Sequence, residues 1–294
     1  MNSVSPQQLT HDLGGHWHRG RGNAPCPVCQ PERRQHQDAL SLDEAEGRLL
    51  LYCHKTGCGF TDILRAAGVQ PGHYKLDLEA LEVAKAERIE AENKAWLKAR
   101  SIWQQGQDIN GTHGERYLRG RSITCPLPDT LRWIADTFHA PSGQWCSAMV
   151  GNVVSVDGEA MGVHRTFFTK QGVRLPRSAK RMLATVKGGA VRLTEADGAL
   201  VVCEGLETGL SLASGLLSGP ARVWAALSTS GIVGLGLPKA PGKLVIAPDG
   251  DDAGRVASNK LATRATGLGW EVSILAAPDG RDWNDVIRGK ADAA

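Results

Sequence analysis

Lys243-Leu244-Val245-Ile246-Ala247-Pro248-Asp249-Gly250-Asp251-Asp252-Ala253-Gly254 decides the reading of this chain. An apolar run, Leu244 to Ala247, stops at a proline and gives way to three aspartates around one glycine. A short, partly β-branched run closed by Pro and Gly reads as a buried strand, and the pattern from Ala253 as a helix. In open α/β sheets, ligands bind outside the carboxyl ends of the strands. Asp249 and Asp251, two positions apart, suit one hard cation. Mg²⁺ takes oxygen ligands and typically one or two carboxylates; Mn²⁺ shares that preference. A second strand of the same kind, Ala199 to Cys203, ends in Glu204-Gly205. The two strand ends are expected to share one metal site.

Around these two strands, residues 197–294 alternate strand and helix. Strands are expected at Ala199–Cys203, Arg222–Ala226, Lys243–Ala247 and Trp270–Leu275. Helices are expected at Glu207–Leu217, after Ser228-Thr229-Ser230-Gly231, at Ala253–Leu268 and after Asp285. That alternation implies a Rossmann-like parallel α/β sheet, whose strand C-termini share one edge. Glu204, Ser228, Thr229, Asp249, Asp251 and Asp282 fall on it. Asp252 reads as a surface carboxylate, Asp285 as surface or supporting, and Glu207 either as a residue facing the same edge or as an acidic helix start.

Residues 107–196 read as a short helix, Gly114–Arg119, then loops rich in Pro and Gly. Antiparallel strands follow over Gln144–Thr169, with Asp157-Gly158 as a hairpin turn. From His164 to Arg192 there are eight Lys and Arg and no Asp or Glu. So one-sided a run is the footprint of phosphate binding, and Arg165, Lys180, Arg181, Lys187 and Arg192 are its candidates. Lys187-Gly188-Gly189 adds small residues that let backbone amides approach a phosphate. Residues 73–106, beginning near Tyr74, read as a helical linker with charges alternating in sign.

Residues 1–72 carry Cys26-Pro27-Val28-Cys29 and Cys53-His54-Lys55-Thr56-Gly57-Cys58. Strands Ala39–Leu42 and Arg48–Tyr52, joined by the polar turn Asp43–Gly47, bring the two knuckles together. Four thiolates then surround one tetrahedral Zn²⁺ in a closed, structural site. His36 and His54 are alternatives, but His54 sits beside Cys53 and the two side chains cannot easily reach one ion; Cys58 is preferred. Thr61–Gly68 reads as a helix with Thr61 as N-cap. The N-terminal part is thus α+β with a zinc ribbon.

The whole chain has 294 residues, 41% hydrophobic and 22% charged, with net charge +3. That charge is too small to argue nucleic-acid binding by itself, so its distribution carries the point. An odd count of 7 cysteines argues against a disulfide scaffold and for reduced thiols or metal. No run reaches membrane-spanning length and the start lacks a signal-peptide core, so a cytoplasmic protein is expected.

Glu204-Gly205 followed by Asp249-x-Asp251-x-Ala253-Gly254 resembles the Toprim fold of bacterial primases, topoisomerases and related nucleases. Ser228-Thr229-Ser230-Gly231 resembles its middle turn. Arg281-Asp282-Trp283-Asn284-Asp285 resembles the ending common in phage and plasmid primases. The cysteine knuckles resemble the primase zinc ribbon, and Tyr117–Arg121 with Lys180–Arg192 resembles the module ahead of Toprim. The resemblance covers nearly the whole chain, in primase order. It implies Mg-dependent synthesis of short primers from NTPs on a single-stranded DNA template, in a bacterial cell or a phage- or plasmid-bearing host. It also implies that Asp249 and Asp251 are metal ligands and that Glu204 is a ligand or an acid/base group. Asp282 is a further candidate ligand, for a second metal, and Trp17 and Tyr52 read as packed structural residues, with stacking on template bases as the alternative. The chain stops soon after Toprim, so either the helicase is a separate protein or this protein works without one. The alternatives from the same residues are a Toprim nuclease and a non-catalytic zinc and single-strand-binding module.

Overall fold

The computed structural model describes residues 5–18, 20–34, 36–45, 48–69 and 78–292. They divide into two compact units, Met1–Lys94 and Ala95–Ala294.

In the first unit, α1 (Pro6–Asp12) is opened by Ser5, whose hydroxyl accepts from the Gln8 amide, with Pro6 in the first turn. β1 (His16–His18), β2 (Arg21–Ala24), β3 (Leu40–Ala45) and β4 (Arg48–Cys53) form an antiparallel sheet in chain order. Alternation turns Leu40, Leu42 and Leu49 inward, against Leu9 and Leu13 and against Ile63 of α2 (Phe60–Ala66). The core is small for a free-standing domain, which is where a metal supplies folding energy. Two expectations need correction. β3 runs on to Ala45, with Asp43 and Glu44 paired to Leu50 and Leu49 in the ladder, so the turn is shorter than expected; positions 46 and 47 lie outside the described residues. α2 begins before Thr61, with Gly59 at the cap and no side-chain cap bond.

α3 (Leu78–Gln105) runs 28 residues with the expected surface ion pairs Arg88–Glu92 and Lys94–Glu90. Tyr74, its expected start, lies outside the described residues.

The second unit contains two five-stranded sheets. β5 (Gln107–Asp108) and α4 (His113–Arg119) lead into β6 (Leu131–His139), β7 (Gln144–Val154), β8 (Ala160–Phe168) and β9 (Lys180–Leu183). β5 to β9 pair antiparallel in that order, with Asp157 and Gly158 between β7 and β8 as expected. β6 stands where loops were expected. The second sheet comprises β10 (Val191–Thr194), β11 (Ala199–Cys203), β12 (Ala221–Ala225), β13 (Lys243–Ala247) and β14 (Glu271–Ile274). Its order is β10-β12-β11-β13-β14, parallel except for β10. α5 (Leu206–Ala213), α6 (Thr229–Gly234), α7 (Asp252–Gly267) and α8 (Trp283–Asp292) complete the expected β–α alternation.

β11 is buried on both faces. Val201 and Cys203 share a core with Leu206 and Leu210 of α5 and with Trp133, Met149 and Phe168 of the antiparallel sheet. Leu200 and Val202 pack on the other side with Ile232 of α6 and Leu261 of α7. Burial on both faces is why β11 and β13 read as continuous apolar runs. The far face of the antiparallel sheet, with Val150, Val163 and Phe167, is covered by Ala99 and Ile102 of α3. Among the described residues, no helix is long and apolar enough to cross a membrane.

Candidate functional site

β11 ends at Cys203 and β13 at Ala247, paired side by side in register. Glu204 and Asp249 therefore leave the sheet on the same edge. The loop bearing Asp249 is stitched to the loop bearing Asp282 by two backbone bonds: Gly250 N to Arg281 O at 2.8 Å, and Gly280 N to Gly250 O at 2.9 Å. Only glycine fits at 250, because a Cβ there would overlap the Pro278 carbonyl oxygen. The stitching brings Asp282 against Asp249.

Glu204, Asp249 and Asp282 line one cleft of about 310 Å³, together with Thr208, Lys180 and His164. Burial raises the Asp249 pKa to about 6, with the charges of Asp282 and Asp251 adding to the rise. Burial, then Asp249 and Asp251, likewise lifts Glu204 above the usual carboxylate range. The Thr208 hydroxyl donates to Asp249 Oδ1 at 3.3 Å. Asp251 is placed differently from the expectation. It caps α7, its Oδ1 accepting from the Gly254 amide at 2.6 Å, and it does not line the cleft. A carboxylate at a helix start is its own local solution.

The donor chemistry fits a divalent cation: hard oxygen ligands face one cleft, their charges unrelieved by one another. Glu204, Asp249 and Asp282 are the residues that would hold it. They share the cleft at longer range than a closed ligand shell. Among the described residues, the four cysteines are the only group of three or more His, Cys, Asp and Glu side chains gathered closely enough to ligate an ion.

Opposite the acids stands a second polar group, which the sequence does not show. Glu207 is buried, with Oε2 accepting from Lys180 Nζ at 2.9 Å and Oε1 from the Tyr117 hydroxyl at 3.1 Å. Burial alone would raise its pKa, but the Lys180 charge and hydrogen bond outweigh this and hold it near 2. The sequence leaves Glu207 open between this edge and a helix start, and it lines the cleft. His164 is buried beside it, and burial lowers its pKa to about 4, so the ring is neutral at pH 7.

The basic residues are divided by strand alternation. Lys180 pairs with Thr166 and faces the cleft. Arg165 and Arg181 pair with each other in the next row and so point to the opposite face. There the Arg165 guanidinium is buried, 5.1 Å from the Phe167 ring centroid. Arg192 is also turned away: it donates to the carbonyls of Ser155 and Val156 and stacks over Trp224. Lys187 is exposed in the loop between β9 and β10. Gly188 and Gly189 are used for packing, Gly188 O accepting from the Gly236 amide and a Cβ at 189 crowding Met161. Both glycines serve a close backbone approach. Arg121 and Arg174 line the cleft instead.

In the first unit, Cys26, Cys29, Cys53 and Cys58 place their sulfurs within 4.8 Å of one another. Tetrahedral Zn–S bonds of about 2.3 Å require sulfurs about 3.8 Å apart, so the set fits zinc. Burial raises Cys26 to about 12. For Cys53 burial acts in the same direction, but the amides of Thr56, Cys58 and Lys55 outweigh it and bring it to about 5. His54 is engaged elsewhere, its Nε2 at 2.7 Å from the Ser41 hydroxyl, which favours Cys58 as the fourth ligand.

A family model described as a domain of unknown function, DUF7146, matches residues 93–193, and a Toprim domain model matches residues 199–293. No curated protein matches the chain. Among solved structures, the chain is similar to the zinc-binding and RNA polymerase domains of the Aquifex aeolicus primase. That pair has 16% identity and a TM-score of 0.42, covering 99% of this chain and 84% of that one. It is similar to the primase fragment of the bacteriophage T7 primase-helicase protein, with 11% identity, coverage of 87% and 92%, and a TM-score of 0.38. It is also similar to a DNA primase domain from Pseudomonas aeruginosa, with 15% identity, coverage of 67% and 75%, and a TM-score of 0.41. Residues 199–293, with their acid-bearing strand ends on one edge of a parallel sheet, match the Toprim domain.

Proposed function

We propose that this protein joins nucleotides into short primers on a single-stranded DNA template, by metal-dependent nucleotidyl transfer. The observation that carries the reading is the cleft itself, where Glu204, Asp249 and Asp282 face the ammonium of Lys180 across a site open to solvent. Nucleotidyl transfer needs held phosphates, a positioned hydroxyl and neutralised charge. A Mg²⁺ or Mn²⁺ ion bound by Glu204, Asp249 and Asp282 supplies the charge neutralisation. Asp251, two residues beyond Asp249 at the start of α7, adds to the negative field that draws the ion in. Thr208 fixes the orientation of the Asp249 carboxylate. Lys180, oriented by Glu207, directs its remaining N–H donors at phosphate oxygens. Glu204 either shares the ion or accepts the proton of the attacking hydroxyl, a role suited to its raised pKa. Lys187 meets the nucleic acid backbone further out.

Zn²⁺ in the four-cysteine ribbon is structural, and the ribbon engages the single-stranded template. A replicative helicase would supply that template. The test is incubation of the full chain with single-stranded DNA, NTPs and Mg²⁺, scoring short oligonucleotide products. Wild type makes them and Asp249→Ala reduces the yield by at least about a hundred-fold, the scale set by losing charge stabilisation at a reacting phosphate. Equal yields from the two proteins would sink the assignment. Nicking of DNA in the absence of nucleotides would turn the same cleft into that of a nuclease.

A further inference from the structure

Four rows of side chains cross one face of the antiparallel sheet. Gly151, His164 and Met182 form the first row, and Met149, Thr166 and Lys180 the second. Ser147, Phe168 and Arg174 form the third, and Trp145 with Phe138 the fourth. Directly paired residues point to the same face, as do residues two apart on one strand. The first three rows reach the acid cleft through His164, Lys180 and Arg174. Between them, Met149 and Phe168 are buried in the core.

At the fourth row the cover ends. Trp145 is 62% exposed and Phe138 43% exposed, at the tip of the β6–β7 hairpin. Their rings hold each other edge to face, centroids 5.8 Å apart. Trp145 lies four residues along β7 from the Lys180 row, about 13 Å, and two strands across, about 10 Å. An open aromatic pair therefore stands on the same face as the acid cleft, with one arginine between the two.

We propose that Phe138 and Trp145 are a stacking platform for the bases of single-stranded nucleic acid on its way to the cleft, with Arg174 taking a phosphate between them. Every base has a π-face, so exposed aromatics beside a cation form a sequence-tolerant single-strand site. Asp136, two residues before Phe138, would repel that strand, but Lys170 binds it at 2.5 Å. The inference rests on reading the cleft as a nucleotide-joining site. Continuity with that cleft on one sheet face, and a cation on the path, argue for this occupant over an apolar protein partner.

The test is fluorescence anisotropy of the full chain with a labelled oligothymidylate of about 15 nucleotides, without NTPs. Trp145→Ala is expected to weaken binding about ten-fold or more, and Trp145→Phe to restore most of it. The slope of log affinity against log salt stays unchanged in Trp145→Ala, whereas Arg174→Ala lowers it by about one. Affinity of Trp145→Ala within about two-fold of wild type overturns the platform, as does wild type that binds no oligonucleotide. Primer synthesis is scored separately at saturating template. Wild type that makes primers while Trp145→Ala binds normally sinks only the platform. Wild type that makes none, while Trp145→Ala binds weakly, sinks only the reading of the cleft.

Discussion

Glu207 and Asp249 are both carboxylates pressed into the protein beside the same cleft, yet their surroundings drive them in opposite directions. Asp249 is lifted to about 6 because burial and its acidic neighbours all disfavour its charge. Glu207 is held near 2, against an ordinary 4.5, because Lys180 overcomes the cost of burial. A carboxylate with a depressed folded-state pKa stabilises the fold above its ordinary value, and that contribution is lost as pH falls from about 4.5 towards 2. Lys180→Met should therefore cost about 1–3 kcal/mol at pH 7, a range kept low because the Lys180 side chain is 43% exposed. The penalty should shrink as the pH is lowered through that window, since a protonated Glu207 no longer needs the cation. Urea denaturation of both proteins at pH 7 and at pH 3 checks this. A penalty equal at the two pH values would mean that Lys180 stabilises the fold by packing rather than by charge.

Among the elements, the ribbon is the one expected to depend on a group outside the polypeptide. Its four sulfurs come from two knuckles at the ends of β2 and β4, and its apolar core is built on a handful of leucines. Cys58→Ser should bind zinc far more weakly and lose the β signal of this unit, while His54→Ala should keep one zinc per chain. Zinc content after gel filtration, read beside far-UV circular dichroism, distinguishes the two. A zinc-free His54→Ala would move the fourth ligand to histidine. The knuckles were legible because Cys-x-x-Cys spacing is a local signal, and β11 and β13 because burial on both faces leaves unbroken apolar runs. β6 was not, since Pro126 and Pro128 precede it and Arg132 and Asp136 interrupt its apolar pattern. The basic run was legible as charge but not as geometry. Pairing of β8 with β9 sends Lys180 to the cleft and Arg165 and Arg181 to the opposite face, and a count of charges carries no faces. The Glu207 pair joins residues 27 apart and its tyrosine comes from 90 residues away, contacts for which a single sequence offers no local cue.

At the scale of the molecule, the division at Lys94 and Ala95 falls inside α3, and the part of that helix after the division belongs to the second unit's core. Ala99 and Ile102 pack under the antiparallel sheet, and the Trp96 indole donates to the Ala160 carbonyl at 3.2 Å. The second unit therefore owns all its large apolar cores and the whole acid cleft, whereas the first relies on four thiolates. A fragment of residues 93–294 keeps every one of those contacts and should fold without the ribbon. It should melt within about 5 °C of the zinc-independent transition of the full chain, the scale of a change of 1–2 kcal/mol in a domain of this size. The full chain should show two transitions by calorimetry, of which a zinc chelator removes or lowers only the one absent from the fragment. Units with separate cores melt separately unless the surface between them is large and apolar. A single transition that moves as a whole when zinc is withdrawn would instead make the ribbon part of one cooperative structure, and the cleft would then depend on zinc for its shape.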